Sequence, residues 1–185
     1  MSGYFDLIFD EIMKIEGAFW DDPAGGPTKY GVSLKAHTAG IGDRDGDGDV
    51  DADDVQMLGI SDAENIFRAH YWDPVWADRL PPALALVMAD MAYHHGVPRS
   101  IRIAQAACNA LGCPPGAFDG KMGPRTLGSL LEAFSRDDFG ILAEISRFRL
   151  SFMQGLPNWM MNKNGWERRV FRIAVAAGDL SSWAA

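Results

Sequence analysis

Acidic side chains alternate through the segment Asp43–Asp54, at a spacing that could hold a metal ion. The first three carboxylates stand at positions 1, 3 and 5 of this loop, and Gly48 at position 6 allows a sharp turn. Calcium takes about six to eight oxygen ligands in loops of this pattern, with a backbone carbonyl at position 7 and a carboxylate at position 12. The sequence therefore predicts a bound calcium ion. The predicted ligands are Asp43, Asp45, Asp47, Asp49 and Asp54.

The alternative for this segment is a disordered acidic linker. Residues 43–54 hold seven aspartates and one arginine, so they carry −6 of the formal net charge of −8. Like charges at this density repel one another unless a cation lies among them. The register of Gly48, of the apolar Val50 and of Asp54 favours a metal loop.

Glu16 is the second candidate for chemistry. It ends an amphipathic helix and lies beside aromatic residues such as Trp20. Desolvation by such neighbours keeps a carboxyl group protonated near neutral pH, as a general acid requires. Thr28 in the glycine-rich segment supplies a hydroxyl, and Asp21 and Asp22 supply a second acid. From spacing alone, a glutamate at a helix end is more often an ordinary surface residue.

Histidine and tyrosine side chains are further candidates for ligand contacts. His94 and His95 end an apolar helix, where they either cap the helix or contact a sugar or peptide. A zinc site would need a third ligand, and no spacing signature supplies one. Tyr30, beside glycines, either stacks on a sugar or belongs to the core.

Apolar periodicity predicts helices along most of the chain, so the predicted fold class is all-α. A possible small hairpin at residues 18–32 is the exception. Ser61 and Glu64 match a capping box that would open one helix. The predicted helices cover residues 5–16, 33–39, 52–58, 61–72, 84–95, 98–111, 124–135, 138–154 and 165–177.

The 185 residues, 48% of them apolar, suffice for one well-cored domain or one domain with two lobes. No basic tract indicates a nucleic-acid partner. The N-terminal residues lack a signal peptide's features and no stretch is long enough to span a membrane, so we expect a soluble product made in the cytoplasm. Cys108 and Cys113 match neither a zinc site nor a disulfide framework, and we interpret them as small, semi-buried residues.

Six short segments carry a family resemblance. They are residues 16–19, 25–32, 71–75, 95–97, 119–127 and 165–170, the first of which reads Glu-Gly-Ala-Phe. These segments resemble motifs of glycoside hydrolase family 108, the phage-endolysin and secretion-associated muramidases, in which the first motif is E-G-G-Y. The six follow one another in the family's order, which makes chance a poor explanation.

The resemblance implies an all-α, lysozyme-like, two-lobed helical domain, into which the predicted calcium-binding loop is inserted. It implies that Glu16 is the catalytic acid acting on peptidoglycan and that Thr28 holds water or substrate. A second group must then act with Glu16, and Asp22 is the first candidate and Asp21 the second. Tyr30 and His95 are then candidates for substrate binding. Residues 1–95 would form the catalytic lobe, and residues 96–180 a helical lobe resembling a peptidoglycan-binding region.

Three departures from the family pattern affect these expectations. Ala18 replaces a glycine, the segment between Glu16 and Thr28 is about two residues short, and His94 stands where asparagine is expected. The shortening makes the second acidic group hard to place. The calcium loop lies outside the family's core pattern and resembles a dockerin loop, which also ends in aspartate.

Two alternatives to a hydrolase remain open. A lytic transglycosylase also uses one glutamate, without water. A non-catalytic, calcium-dependent wall-binding or secretion accessory protein could keep the same fold. In either enzymatic case, we expect a monomer that acts in the periplasm or cell wall after holin-type release.

Overall fold

The computed structural model describes residues 3–16, 20–22 and 26–181, without the side chains of Glu16 and of residues 20–22. Helices make up most of this part, and the described strands form one small antiparallel sheet. The predicted all-α class is confirmed. The strands are β1 (Trp20–Asp22), β2 (Gly26–Lys29) and β3 (Val32–Ser33). The helices are α1 (Phe5–Glu16), α2 (Leu34–Ile41), α3 (Ala52–Met57), α4 (Ile60–Phe67), α5 (Pro82–His95), α6 (Val97–Ala110), α7 (Pro124–Arg136), α8 (Asp138–Gln154) and α9 (Trp159–Ser181).

The chain divides into two compact units, Met1–His70 and Tyr71–Ala185. In the first unit, the apolar stripe of α1 packs on α4. The rings of Phe9 and Phe67 meet edge to face, with centroids 5.5 Å apart, and Phe5 stacks on Phe9 at 6.1 Å. Aromatic pairs of this geometry add to the free energy gained from apolar burial. This cluster fixes the direction of α1, and so the place where its last residue, Glu16, lies.

The start of α4 differs from the prediction. The helix begins at Ile60 rather than at Ser61, and the predicted capping box of Ser61 and Glu64 is wrong. The carboxylate of Asp62 instead accepts from the amide of Gly59 at 2.8 Å. Asp62 also pairs with Arg44 at 2.9 Å, so this helix start is tied to the acidic loop.

The second unit is organised around α5. Ten consecutive residues of this helix, Ala83 to Ala92, are buried. A helix that is apolar on every side must be enclosed, and α6 and α9 both pack against α5. Helix α8 packs against α6, α7 and α9. Two short 3₁₀ turns, Asp73–Val75 and Ala77–Arg79, precede α5.

The unit boundary at His70 falls earlier than residue 95, the boundary that we predicted between a catalytic and a wall-binding lobe. That prediction concerns function, and the packing of the helices does not test it. None of the described helices is long and apolar enough to cross a membrane.

Candidate active site

The predicted acid stands where helix gives way to sheet. Helix α1 ends at Glu16, and β1 begins at Trp20. The side chains of Glu16, Asp21 and Asp22 lie outside the described residues. The catalytic roles of Glu16 and Asp22 therefore stay predictions. The structure gives only the backbone positions of these two residues.

The register of the sheet separates the two candidates for the partner group. Trp20 pairs with Thr28, and Asp22 pairs with Gly26. Alternate positions on a strand share a face, and directly paired positions share it too. Position 22 therefore lies on the face of Thr28, whereas position 21 belongs to the opposite face. Asp22, rather than Asp21, therefore stays the predicted partner of Thr28.

Thr28 lies in β2 and is half-buried. Its Oγ1 donates to the carbonyl of Gly26 at 3.3 Å. A hydroxyl that donates in this way keeps its lone pairs free to accept from water or a sugar hydroxyl. The predicted role of Thr28 is therefore compatible with its hydrogen bond.

Tyr30 occupies a turn position. Tyr30 and Gly31 connect the paired residues Lys29 and Val32 and have φ of +51° and +69°. Positive φ at both central residues of a two-residue hairpin is the mark of a type I′ turn, which fits the twist of paired strands. The ammonium of Lys29 lies 5.6 Å from the Tyr30 ring centroid. These features account for Tyr30 in the turn, and its predicted stacking on a sugar stays a prediction.

The sheet is linked directly to the acidic loop. Nζ of Lys29 donates to the backbone carbonyl of Gln56 at 2.5 Å. Gln56 belongs to α3, the helix that leaves the loop, and α3 packs against β2. The acidic loop is therefore connected, through α3, to the strand that carries Thr28.

The acidic loop folds in the register that its sequence predicts. Gly48 adopts φ of +102°, as the sharp turn at position 6 requires. Its amide donates to Oδ2 of Asp43 at 3.1 Å, and the amide of Gly46 donates to Oδ1 at 2.7 Å. Asp45 and Asp47 each accept from the amide two residues later, both at 3.1 Å. These bonds curl the backbone, and the first three carboxylates lie close together on the exposed loop.

The predicted ligands gather in two groups. Within each group, one carboxylate oxygen from every member lies within 4.8 Å of the others. One group consists of Asp43, Asp45 and Asp47, and the other of Asp49, Asp51 and Asp54. Asp51 was not among our predicted ligands. The sequence clue to Asp51 was its place two residues beyond Asp49, the predicted carbonyl ligand. In the structure Asp51 is the N-cap of α3.

Asp54 is buried and closes the loop onto its exit helix. Its Oδ1 accepts from the amide of Arg44 at 2.5 Å, and its Oδ2 from the amide of Asp51 at 2.8 Å. These bonds lower the pKa of Asp54, the Arg44 amide most of all. In contrast, the charge of Asp47 is the main cause that raises the pKa of Asp49.

The donor set fits a hard divalent cation. Both groups offer only carboxylate oxygens, which are the ligands that calcium prefers, and their charges repel one another unless a cation lies among them.

His95 takes part in a buried polar cluster of the second unit. Its Nε2 accepts from Nε of Arg149 at 3.0 Å, and Nδ1 of His94 lies 3.2 Å from Nη2 of Arg149. Burial, followed by the nearby guanidinium charges, lowers the pKa of His94 to about 3. Burial and then Arg149 lower that of His95 to about 2. Both rings are neutral acceptors for an arginine, and the predicted contact of His95 with substrate stays a prediction.

The same cluster holds a charge pair that sequence reasoning missed. Asp90 is fully buried in α5, Oδ2 lies 2.6 Å from Nη1 of Arg149, and Oδ1 accepts from Nε of Arg169 at 2.9 Å. The sequence clue to this pair was an aspartate within a run of apolar residues, because a buried carboxylate requires a cationic partner. The sequence gives no sign of which arginines supply it.

A buried glutamine holds the segment around Asp119 in place. The buried side chain of Gln105 donates to Oδ1 of Asp119 and to Oγ1 of Thr126, both at 3.1 Å, and accepts from the amide of Gly120 at 3.1 Å. This glutamine in α6 thus clamps the loop that leads into α7. The sequence pattern alone connects that segment only with wall binding.

Residues 9–96 match the family model described as Glycosyl hydrolase 108. The chain is a glycoside hydrolase. The matched residues include Glu16, Thr28 and His95, and they end before the segment around Asp119.

This glycoside hydrolase is similar in structure to a protein described as Brucella abortus SagA. The TM-score is 0.83 at 27% sequence identity, over 98% of this chain and 97% of the other. No curated protein matches the sequence. The structural similarity confirms the predicted lysozyme-like fold class and extends over the region beyond residue 96.

Proposed function

We propose that this glycoside hydrolase is a muramidase that cleaves the bond between N-acetylmuramic acid and N-acetylglucosamine in peptidoglycan. The observation that carries the proposal is the family match over residues 9–96, which contains the end of α1 and the whole sheet. Three predicted catalytic residues, Glu16, Asp22 and Thr28, stand in that short stretch.

In the proposed reaction, Glu16 protonates the glycosidic oxygen as the bond from that oxygen to the anomeric carbon breaks. The sugar develops oxocarbenium character, which the carboxylate of Asp22 stabilises. Water adds to the anomeric carbon, and its proton passes to a carboxylate. Thr28 orients that water or a substrate hydroxyl. The strand register supports this pairing, because positions 22 and 28 share a face.

We further propose that the loop Asp43–Asp54 binds calcium in a structural role. The ion supplies charge compensation and no reaction chemistry. The aspartates of the two groups would hold it, and Gly48 gives the loop its turn. The bond from Lys29 to Gln56 would carry the effect of an ordered loop to β2.

The setting that fits this activity is that of an endolysin. In this proposal the monomeric enzyme acts in the periplasm or cell wall after holin-type release, and residues 96–180 contact peptidoglycan. An open pocket in that region, about 420 Å³ in volume, is lined by side chains of both charges, among them Asp119, Lys121 and Arg125. Such a lining suits the amino and carboxylate groups of wall peptides.

Product analysis on purified peptidoglycan tests the proposal. Hydrolysis leaves reducing muramic acid ends, and this is the expected result. Anhydro-muramic ends would identify a lytic transglycosylase. Binding of peptidoglycan without soluble products would identify a non-catalytic wall-binding protein.

A further inference from the structure

The end of helix α6 brings two cysteines together. The amide of Cys113 donates to the carbonyl of Cys108 at 2.9 Å, and the amide of Gly112 donates to that of Asn109 at 3.1 Å. Gly112 has φ of +73°. Two nested hydrogen bonds around a left-handed glycine form a Schellman motif, and the side chains that stand where Cys108 and Cys113 do commonly contact each other.

Both thiols are free and enclosed by protein. Cys108 is 0% exposed and Cys113 is 1% exposed. Burial, and next the proximity of Cys113, raises the pKa of the Cys108 thiol to about 12. These thiols are therefore inert once the chain has folded, and any reaction between them belongs to the folding or refolding chain.

The surroundings of the two sulfurs differ. Nη1 of Arg136, from α7, donates to Sγ of Cys113 at 3.5 Å. Sγ of Cys113 also lies 3.9 Å from the carbonyl oxygen of Leu111. These two contacts hold the Cys113 sulfur between the end of α6 and α7.

We propose that Cys108 and Cys113 form a disulfide when the chain folds or refolds in the presence of a disulfide oxidant. The oxidant is a disulfide, either of a small thiol or of a thiol–disulfide oxidoreductase. One of the two cysteine thiolates attacks a sulfur of the oxidant, and one thiolate of the oxidant leaves. The other cysteine thiolate then attacks the cysteine sulfur of the mixed disulfide, and the second thiolate of the oxidant leaves. Two cysteine thiols are oxidised, one external disulfide is reduced, and the two protons go to solvent or to the released thiolates.

The bond would fix the loop that leads from α6 to α7 at its first turn. Gln105 already clamps the far part of this loop through Asp119 and Gly120. A covalent link at Cys113 adds an anchor at the near end. The crosslink would stabilise the second unit, because it restricts the unfolded chain.

Redox titration of the full chain tests this proposal. The protein is refolded from urea into mixtures of reduced and oxidised glutathione, and a parallel set is kept in urea. Free thiols are then alkylated and counted by mass spectrometry. We expect a species that has lost two hydrogens and takes up no label, with an effective thiol concentration about tenfold or more higher in native buffer than in urea. An equal or lower value in native buffer would overturn the proposal, because folding would then oppose the bond.

Single variants check which sulfurs react. Cys108→Ala and Cys113→Ala should each retain one thiol, which takes up one label or one glutathione at every redox ratio. A wild-type protein that accumulates only mixed disulfides with glutathione would contradict the proposal. The comparison of native buffer with urea uses the wild type alone, so it holds even where a variant fails to fold.

Discussion

Nη1 of Arg149 lies 2.6 Å from Oδ2 of Asp90, and the two side chains are 2% and 0% exposed. The pair joins α8 to α5, and Arg169 brings α9 to the same carboxylate at 2.7 Å. The attraction of the two guanidinium groups outweighs burial and keeps the pKa of Asp90 below its ordinary value. One carboxylate thus connects three helices of the second unit.

Replacing Asp90 should therefore be severely destabilising. Asp90→Asn removes the charge that compensates two buried arginines, at a cost of about 3–5 kcal/mol in the free energy of unfolding. Glu144→Gln is the control, because Glu144 pairs with Arg147 on the surface and should contribute less than about 1 kcal/mol. Urea unfolding followed by circular dichroism measures both. If both substitutions lowered the free energy of unfolding equally, the buried cluster would stabilise the protein no more than a surface ion pair does.

The stability of the second unit should fall in mild acid. His94 and His95 have folded-state pKa values lowered to about 3 and about 2, whereas an unfolded histidine titrates near about 6.5. Between these values the unfolded state binds more protons, so stability rises with pH in this window and is lost as pH falls from about 6.5. Asp90, also lowered, adds a loss below about 4.

Urea unfolding at several pH values measures this dependence. The variant His94→Gln with His95→Gln should show a shallower slope between about pH 6 and pH 4. A wild-type slope that the double substitution leaves unchanged would assign the acid sensitivity to other groups.

Gly120→Ala should disrupt the loop that Gln105 clamps. Gly120 has φ of +74°, and an added Cβ would lie 2.6 Å from the carbonyl oxygen of Pro98. The strained backbone should lower the free energy of unfolding by about 1–3 kcal/mol, and the steric overlap should lower it further. Gly128→Ala in α7 is the matched control, since its Cβ would meet nothing within 4 Å and alanine favours a helix. Thermal unfolding should show a lower Tm for the first variant and an equal or higher Tm for the second.

Calcium should stabilise the first unit. An ion that binds only the folded state adds about 2.7 kcal/mol at a hundredfold excess over Kd. Chelator should lower Tm, calcium should restore it, and magnesium should be the poorer substitute. Asp43→Ala with Asp47→Ala should mimic the chelator, whereas Asp10→Asn on the exposed side of α1 should keep the calcium response. A Tm that is indifferent to chelator and calcium would mean that no ion is linked to folding. A constant Tm with loss of activity would instead indicate a regulatory ion.

Local patterns predicted most of this fold. Apolar periodicity gave the helices to within a few residues, because burial of one face is encoded within each segment. The longest helix, α9, begins at Trp159, six residues earlier than position 165. Position 6 of the acidic loop was also readable, since Gly48 must adopt a positive φ.

Contacts between distant segments were not predictable. The cap of α4 depends on Asp62, which Arg44 holds from the acidic loop. The partner of Asp90 at position 169 is 79 residues away, and no local pattern connects the two. The same limit applies to His95, whose arginine partner comes from α8.

The rate of peptidoglycan clearance by Glu16→Gln tests the central claim most directly. The substitution keeps the size of the side chain and removes the proton that a general acid donates. The turbidity of a suspension of purified peptidoglycan is followed at equal concentrations of the two proteins, once their Tm values have been shown to match. It should fall about 10²–10⁴-fold more slowly with the variant than with the wild type. The control is Glu11→Gln on the same helix, which should clear at the wild-type rate. Clearance by Glu16→Gln at a rate close to that of the wild type would contradict the account.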